Sequence, residues 1–248
     1  MTGRAVLITG ASRGIGRAIA TEFAGAGDRV ALHHRGSAEL AASLAASLPG
    51  AGHVVVQADL ADAGAVRAMV DQAASLLGGL DILVNNAGIF TPHPITDVSY
   101  SDWQDQWQAT LGVNLLGAAN ATWCAVQHML GRGGRIINVS SRGAFRGEPD
   151  SPAYGASKAG LNSLTQSLAR ALAPHGIAVS AVAPGFVATD MTNEHLKPPR
   201  GDEIRAQSPF GRVAEPDEIA AAVLYLASER AQWASGAILD LNGASYLR

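Results

Sequence analysis

Ala5-Val6-Leu7-Ile8-Thr9-Gly10-Ala11-Ser12-Arg13-Gly14-Ile15-Gly16 stands near the start of the chain and decides its fold class. Four apolar, strand-forming residues lead into a glycine turn. Ile15, Ile19 and Phe23 then recur at helical spacing, with Ala18, Ala20 and Ala24 between them. The glycines therefore sit at a strand-to-helix junction. Glycine permits positive φ and close backbone approach. A helix N-terminus offers unpaired N–H groups and the positive end of its dipole, which suits a pyrophosphate. The spacing Gly10, Gly14, Gly16 is a Gly-x-x-x-Gly-x-Gly variant, in an equivalent place, of the Gly-x-Gly-x-x-Gly dinucleotide fingerprint.

Outward from that turn, strand-like and helix-like segments alternate to the end of the chain. Further strands are expected at Arg29–His33, His53–Gln57, Ile82–Val84, Ile136–Val139, Ala178–Val182 and Ala237–Leu241. Several are continuous apolar runs, as parallel strands buried on both faces require. Repeated β-α units imply a doubly wound, Rossmann-type parallel sheet of about seven strands with helices on both faces. Leu161, Leu164, Leu168 and Leu172 form one helical stripe, which Pro174 and Gly176 end. No linker or repeat divides the chain, so residues 1–248 are read as one domain. The least regular stretch, 184–211, contains the turn-prone Lys197-Pro198-Pro199-Arg200-Gly201-Asp202 and is expected to be a substrate lid.

Bulk properties exclude several function classes. At 248 residues the chain can bury a large core. Only 16% of residues are charged, below the usual quarter or so, which suits a sheet covered on both sides. A net charge of −3 gives no electrostatic case for nucleic acid or an anionic membrane. The single cysteine, Cys124, lies in an apolar helical stretch and is read as a buried structural thiol. No apolar run is long enough to span a bilayer. The strand at Ala5 is read as leaving no room for a signal peptide, so a cytoplasmic location is expected. The seven histidines show no metal-ligand spacing. Trp103 and Trp107, four apart on an expected helix capped by Ser99 or Ser101, are read as packing residues.

Chemistry is carried by a second stretch. Tyr154 and Lys158 are four residues apart, one helical turn on one face, and Ser140-Ser141 closes an apolar run upstream. A lysine ammonium beside a phenol favours the phenolate and lowers its pKa from about 10. With a serine hydroxyl to hold a carbonyl oxygen, such a set moves a proton at a carbonyl or an alcohol.

Taken in order, Thr9 to Gly16, Asp59-Leu60, Asn85-Asn86-Ala87-Gly88, Asn114, Ser141, Tyr154 with Lys158, and Pro184-Gly185 resemble the short-chain dehydrogenase/reductase family. The likeness runs from about Arg4 to about Gly243. It implies a catalytic set of Asn114, Ser141, Tyr154 and Lys158. Ser141 is preferred to Ser140 because it stands thirteen residues before Tyr154, the family's common separation. Tyr154 would give the proton in reduction and take it in oxidation. Lys158 would lower its pKa and bond the nicotinamide ribose. Ser141 would polarise the carbonyl, and Asn114, on a probable helix, would hold a water joined to the lysine.

The resemblance also implies a cofactor cradle. It comprises Gly10, Ser12, Arg13, Gly14, Ile15 and Gly16 in the turn, His34 and Arg35 after the second strand, and Asp59 and Leu60 after the third. Asn86, Ala87 and Gly88 follow the fourth strand, and Pro184, Gly185, Val187 and Thr189 lie beyond the sixth. Asp59 would meet the adenine amino group. Asn86 would lie near the adenosine, and it would also suit a helix cap after its strand. Thr189 and the backbone of Val187 would bond the carboxamide.

The choice of nicotinamide follows from residue chemistry. NAD-selective folds usually end the second strand with an acidic residue for the ribose 2′-OH. This chain has His34 and Arg35 there, and Arg13 within the glycine turn. Two guanidinium groups suit a 2′-phosphate, so NADP(H) is expected in preference to NAD(H).

For the substrate, Arg135–Ser141, Val182–Met191 and Gly236–Gly243 resemble bacterial 3-oxoacyl-(acyl carrier protein) reductases, though sugar and secondary-alcohol members share such stretches. Reduction of a 3-ketoacyl thioester is the leading expectation. Another ketone, a sugar or a secondary alcohol is the alternative. Arg132, Arg135, Arg142 and Arg146 cluster in sequence and would suit an acidic acyl carrier protein or the phosphate of a CoA thioester. His175, and the bulky loop Arg142–Pro149, point to another substrate. A scaffold that binds nucleotide without chemistry is disfavoured by the intact catalytic set. The family likeness implies a homotetramer, with the helix from Leu111 to Met129, the catalytic helix and the last strand facing partner subunits.

Overall fold

The computed structural model of the protein describes residues 3–248. Seven strands form one parallel sheet: β1 (Ala5–Ile8), β2 (Arg29–His34), β3 (Val54–Gln57), β4 (Ile82–Asn85), β5 (Gly134–Val139), β6 (Ile177–Pro184) and β7 (Ile238–Leu241). Their order is β3-β2-β1-β4-β5-β6-β7. β1 alternates between the two sides of the sheet. Val6 and Ile8 join one apolar core, and Ala5 and Leu7 the other. That period of two, with both faces covered, is why its sequence reads as one continuous apolar run.

The first core is roofed by α1 (Gly14–Gly25), α2 (Ala38–Ser47) and α9 (Pro216–Leu226), through Phe23, Leu44 and Val223 among others. The second is roofed by α3 (Ala63–Leu77), α5 (Ala118–Met129) and α7 (Pro152–Leu172), through Met69, Met129 and Ala169. α4 (Tyr100–Leu111) leads through a π-helical turn, Gly112–Gly117, straight into α5 and packs against α7. Ser99 caps α4, accepting from the Asp102 N–H at 3.1 Å, and Trp103 and Trp107 pack with ring centroids 5.7 Å apart. Cys124 is buried in the second core. Among the described residues no helix is long and apolar enough to cross a membrane.

Two helices carry detail beyond the sequence pattern. The leucine stripe of α7 holds, with Leu161 buried and Leu168 and Leu172 packed against the second core; Asn162, Thr165 and Ala169 beside it are also buried. A polar link runs along this side. Asn138 donates to Thr165 Oγ1 at 2.8 Å, and Asn85 donates to Asn138 Oδ1 at 2.9 Å, so a hydrogen-bonded chain ties α7 through β5 to β4. Within 184–211, Arg200-Gly201-Asp202 is not a turn but the start of α8 (Arg200–Ala206), whose first turn carries Asp202 and Glu203 at the positive end of the helix dipole. The short α6 (Gly143–Arg146) follows β5.

β1 adjoins both β2 and β4, so the strand order reverses there. Crevices outside the C-terminal ends of strands at such a switch point are where this architecture binds ligands.

Candidate active site

A cleft of about 530 Å³ opens at that switch point. The glycine turn forms its floor. Gly10 has φ +65°, and a Cβ on it would lie 2.9 Å from Ala87 Cα. A Cβ on Gly16 would run into the Gly10 carbonyl and the Asn86 amide. Bare backbone is therefore obligatory at both positions. Asn86 does not cap a helix, because none follows until Tyr100. Its amide donates instead to the Thr9 and Gly10 carbonyls, at 2.9 and 3.1 Å, and braces the turn from β4.

Every expected cradle residue lines this cleft: Gly10, Ser12, Arg13, Gly14, Ile15, Gly16, His34, Arg35, Asp59, Leu60, Asn86, Ala87, Gly88, Pro184, Gly185, Val187 and Thr189. Asp59 Oδ1 accepts from the Ala61 N–H at 2.9 Å, which fixes the turn after β3. Arg13 and Arg35 are exposed, and neither has a carboxylate partner among the described residues. His34 Nδ1 is buried without a hydrogen-bond partner. A ligand reaching that corner would relieve its desolvation cost.

Two cleft residues escaped the sequence reading. His33 Nδ1 accepts from the Gly10 N–H at 3.0 Å, and its Nε2 meets the Ala58 carbonyl at 3.1 Å. Burial lowers its pKa, so the neutral ring that both bonds require is favoured. Thr192 ties the far wall together: its hydroxyl donates to the Val187 carbonyl at 2.5 Å and accepts from the Thr189 N–H at 3.1 Å. A polar residue closing a buried strand beside the glycine turn was the available signal for His33; nothing in the sequence marked Thr192.

The residues expected to carry proton transfer converge at the inner end of the cleft. Ser141 and Tyr154 both line it, and Ser141 acts to lower the pKa of the phenol. Ser141 Oγ accepts from the Gly143 N–H at 3.0 Å. Ser140 is buried and donates to the Lys158 carbonyl at 3.3 Å. Lys158 Nζ donates to the Val139 carbonyl at 2.8 Å and lies 5.7 Å from the centre of the Tyr154 ring. Asn114 sits in the π-helical turn rather than in a regular α-helix. Its Oδ1 accepts from the Ile89 N–H at 2.8 Å, and its Nδ2 donates to the Ile89 carbonyl at 3.0 Å and to Ser157 Oγ at 3.1 Å.

One electrostatic expectation is not met. Burial pushes the Tyr154 phenol up to about 12, against a smaller lowering effect from Ser141. Burial also pulls Lys158 down to about 8. Desolvation is the largest cause of both shifts.

Beside Tyr154 lies a second cavity of about 230 Å³, walled by Phe90, Phe186 and Met191 and edged by Arg142, Arg146, Glu148, Asp150, His195 and Arg200. Phe90 meets the Tyr154 ring edge-on at 5.0 Å. Burial raises the Glu148 carboxyl despite Arg146 at 3.7 Å. The arginine cluster expected from sequence does not form one surface. Arg132 pairs with Asp81 at 3.3 Å, and Arg135 binds the Gly134 carbonyl, both at the N-terminal end of β5. Arg142, at the other end, is buried, holding Gln207 and Ser245. A six-residue strand separates the two pairs by its full length.

Known proteins match this geometry from end to end. A family model described as enoyl-(acyl carrier protein) reductase matches residues 10–243. A 3-oxoacyl-[acyl-carrier-protein] reductase of Staphylococcus aureus is 39% identical over 98% of both chains. An L-rhamnose 1-dehydrogenase (NAD(P)(+)) of Azotobacter vinelandii is 40% identical, over 98% of this chain and 97% of its own. Among solved structures, a short chain dehydrogenase from Burkholderia cenocepacia in complex with NADP superposes with a TM-score of 0.89 at 38% identity, covering 98% of both chains. With a serine, a tyrosine and a lysine gathered where a glycine-floored cleft ends, and with relatives alike over the whole length, the chain belongs to the short-chain dehydrogenase/reductase family of oxidoreductases.

Proposed function

We propose that this protein is an NADP(H)-dependent oxidoreductase that reduces a 3-ketoacyl thioester to the 3-hydroxyacyl thioester. The observation that carries the chemistry is the gathering of Ser141, Tyr154 and Lys158 in one cleft, with Lys158 Nζ 5.7 Å from the centre of the Tyr154 ring. The full-length likeness to a 3-oxoacyl-[acyl-carrier-protein] reductase supports the substrate class.

When bound, the nicotinamide dinucleotide supplies the hydride in reduction and accepts it in oxidation. The glycine turn would hold its pyrophosphate at the N-terminus of α1. His34, Arg13 and Arg35 would take the 2′-phosphate end, and Asp59 and Asn86 the adenosine. Pro184, Gly185, Val187 and Thr189 would flank the nicotinamide. Ser141 orients the substrate oxygen. Tyr154, held protonated by burial, gives that oxygen its proton in reduction. Lys158 and Asn114 replenish the proton from the protein side.

A second reading, oxidation or reduction of a sugar or other hydroxylated substrate, is favoured by the polar rim of the substrate cavity, in particular Glu148 and Asp150. The relative acting on L-rhamnose supports it. For an acyl carrier protein as partner, the separation of the four arginines removes the argument from one basic surface; a CoA thioester or other small thioester needs no such surface. We further propose a homotetramer. Leu116 and Trp123 on one side, and Trp233 and Leu239 on another, are large apolar side chains left exposed in the single chain.

Reduced-nicotinamide absorbance, followed with a short 3-ketoacyl-CoA, a carrier-linked 3-ketoacyl group and an aldose panel, tests the substrate. Rapid NADPH-linked turnover of the thioester is expected. Turnover confined to the aldoses overturns the thioester reading, and a monomeric mass in solution overturns the tetramer.

A further inference from the structure

We propose that His93 is a positioning residue. Its imidazole caps the N-terminus of α7, the helix that carries Tyr154 and Lys158, and so sets where the tyrosine stands. This rests on the reading of Tyr154 as the proton donor.

The start of α7 leaves one backbone amide to be satisfied from outside. Pro152, the first helical residue, has no N–H. The N–H groups of Tyr154 and Gly155 both go to the Ser151 carbonyl, at 2.9 and 3.3 Å. The Ala153 N–H remains. Ser151 stands in the capping position, yet its side chain makes no cap; its hydroxyl donates away, to the Thr91 carbonyl at 3.1 Å. The acceptor for Ala153 is His93 Nε2, at 3.2 Å, on a side chain with no solvent exposure.

The protonation state follows from the partners. His93 Nδ1 lies 2.7 Å from the Thr91 carbonyl, which can only accept, so Nδ1 carries the hydrogen. Nε2 therefore offers a lone pair, and only the neutral ring makes both bonds. A neutral acceptor also suits the positive end of a helix dipole, where an imidazolium would be repelled.

The same loop reaches the rest of the catalytic set. Ile89 holds Asn114 through both its backbone groups, and Phe90 packs on Tyr154. Three residues on, the His93 N–H donates to the Asp150 carbonyl at 2.7 Å, and Trp103 packs edge-on against the imidazole at 5.6 Å. One segment after β4 thus fixes the π-turn asparagine, the tyrosine ring and the beginning of the tyrosine's helix.

The test compares His93→Phe with His93→Gln, whose amide oxygen can accept from Ala153 where Nε2 did. His93→Phe is expected to lower kcat by about tenfold, the size of a lost cap felt at the reacting group. NADPH affinity and substrate KM should stay near wild type, and His93→Gln should recover most of kcat. Unchanged kcat in His93→Phe, or equal loss in both variants, overturns the proposal. Should His93→Phe fail to fold, nitrogen NMR of the wild-type imidazole decides: a neutral ring with the hydrogen on Nδ1 is expected, and a hydrogen on Nε2 at pH 7 overturns it. Tyr154→Phe, run in parallel, tests the proton-donor reading separately, since the tautomer does not depend on it.

Discussion

Asn114 Oδ1 and Lys158 Nζ face the same point above Gly88: a Cβ built on that glycine would lie 3.3 Å from the first and 3.5 Å from the second. A water placed between the amide oxygen and the ammonium, which also holds the Val139 carbonyl, would complete the proposed proton relay. A methyl group would fill that space. Gly88→Ala is expected to lower kcat by about tenfold or more, within the range that positioned proton transfer contributes. The neighbours would have to give only a few tenths of an ångström, so the melting temperature should change little. Steady-state kinetics with thermal unfolding checks both halves.

Lys158 is costly to bury. Its pKa in the folded chain is about 8, against about 10.4 when unfolded. The unfolded state therefore binds more protons between those values, and stability rises with pH across that window. The cost is fully present below pH 8, at about 3 kcal/mol from the size of the shift. Tyr154 acts in the opposite sense: raised to about 12, it holds its proton longer when folded, so its effect weakens stability from about pH 10 upward. Lys158→Met should consequently melt higher than wild type at pH 7 while losing turnover, with the difference shrinking toward pH 10. A difference independent of pH would contradict the burial account.

Arg13 and Arg35 stand exposed on the cleft with no carboxylate partner among the described residues, and His34 Nδ1, beside Arg35, is buried without a partner. The 2′-phosphate of the proposed cofactor would answer all three. Replacing both arginines with alanine should weaken NADPH binding by about 10- to 1,000-fold, the range for one or two lost bonds to a charged group, and leave NADH binding nearly unchanged. Fluorescence titration of the two cofactors reads this directly. Equal losses for both would mean that the arginines support the turn and do not select the cofactor.

What the sequence shows clearly is whatever depends on short-range pattern. Each of the seven strands lies within two residues of its expected place, because burial on both faces forces uninterrupted apolar runs such as Ala5–Ile8. The glycine turn was legible for a similar reason: its backbone geometry excludes a side chain at Gly16. What stays hidden depends on distant partners. The Asn138–Thr165 bond, which joins α7 to β5 beside the leucine stripe, is one such contact. His33 and His93 look ordinary until the Gly10 and Ala153 amides are placed against them. The arginines near β5 are close in sequence, but the strand carries them to opposite ends. The Tyr154 phenol is raised, not lowered as a Tyr-Lys pair suggests, because burial is a property of the fold and not of the spacing.

The central claim is that Tyr154 delivers the proton. NADPH oxidation by wild type and Tyr154→Phe, with the same carbonyl substrate, tests it most directly. The phenylalanine keeps the ring that packs on Phe90 and removes only the hydroxyl. The expected result is a fall in kcat of about 10²- to 10⁴-fold with NADPH affinity preserved. Near-wild-type turnover in Tyr154→Phe would contradict the account.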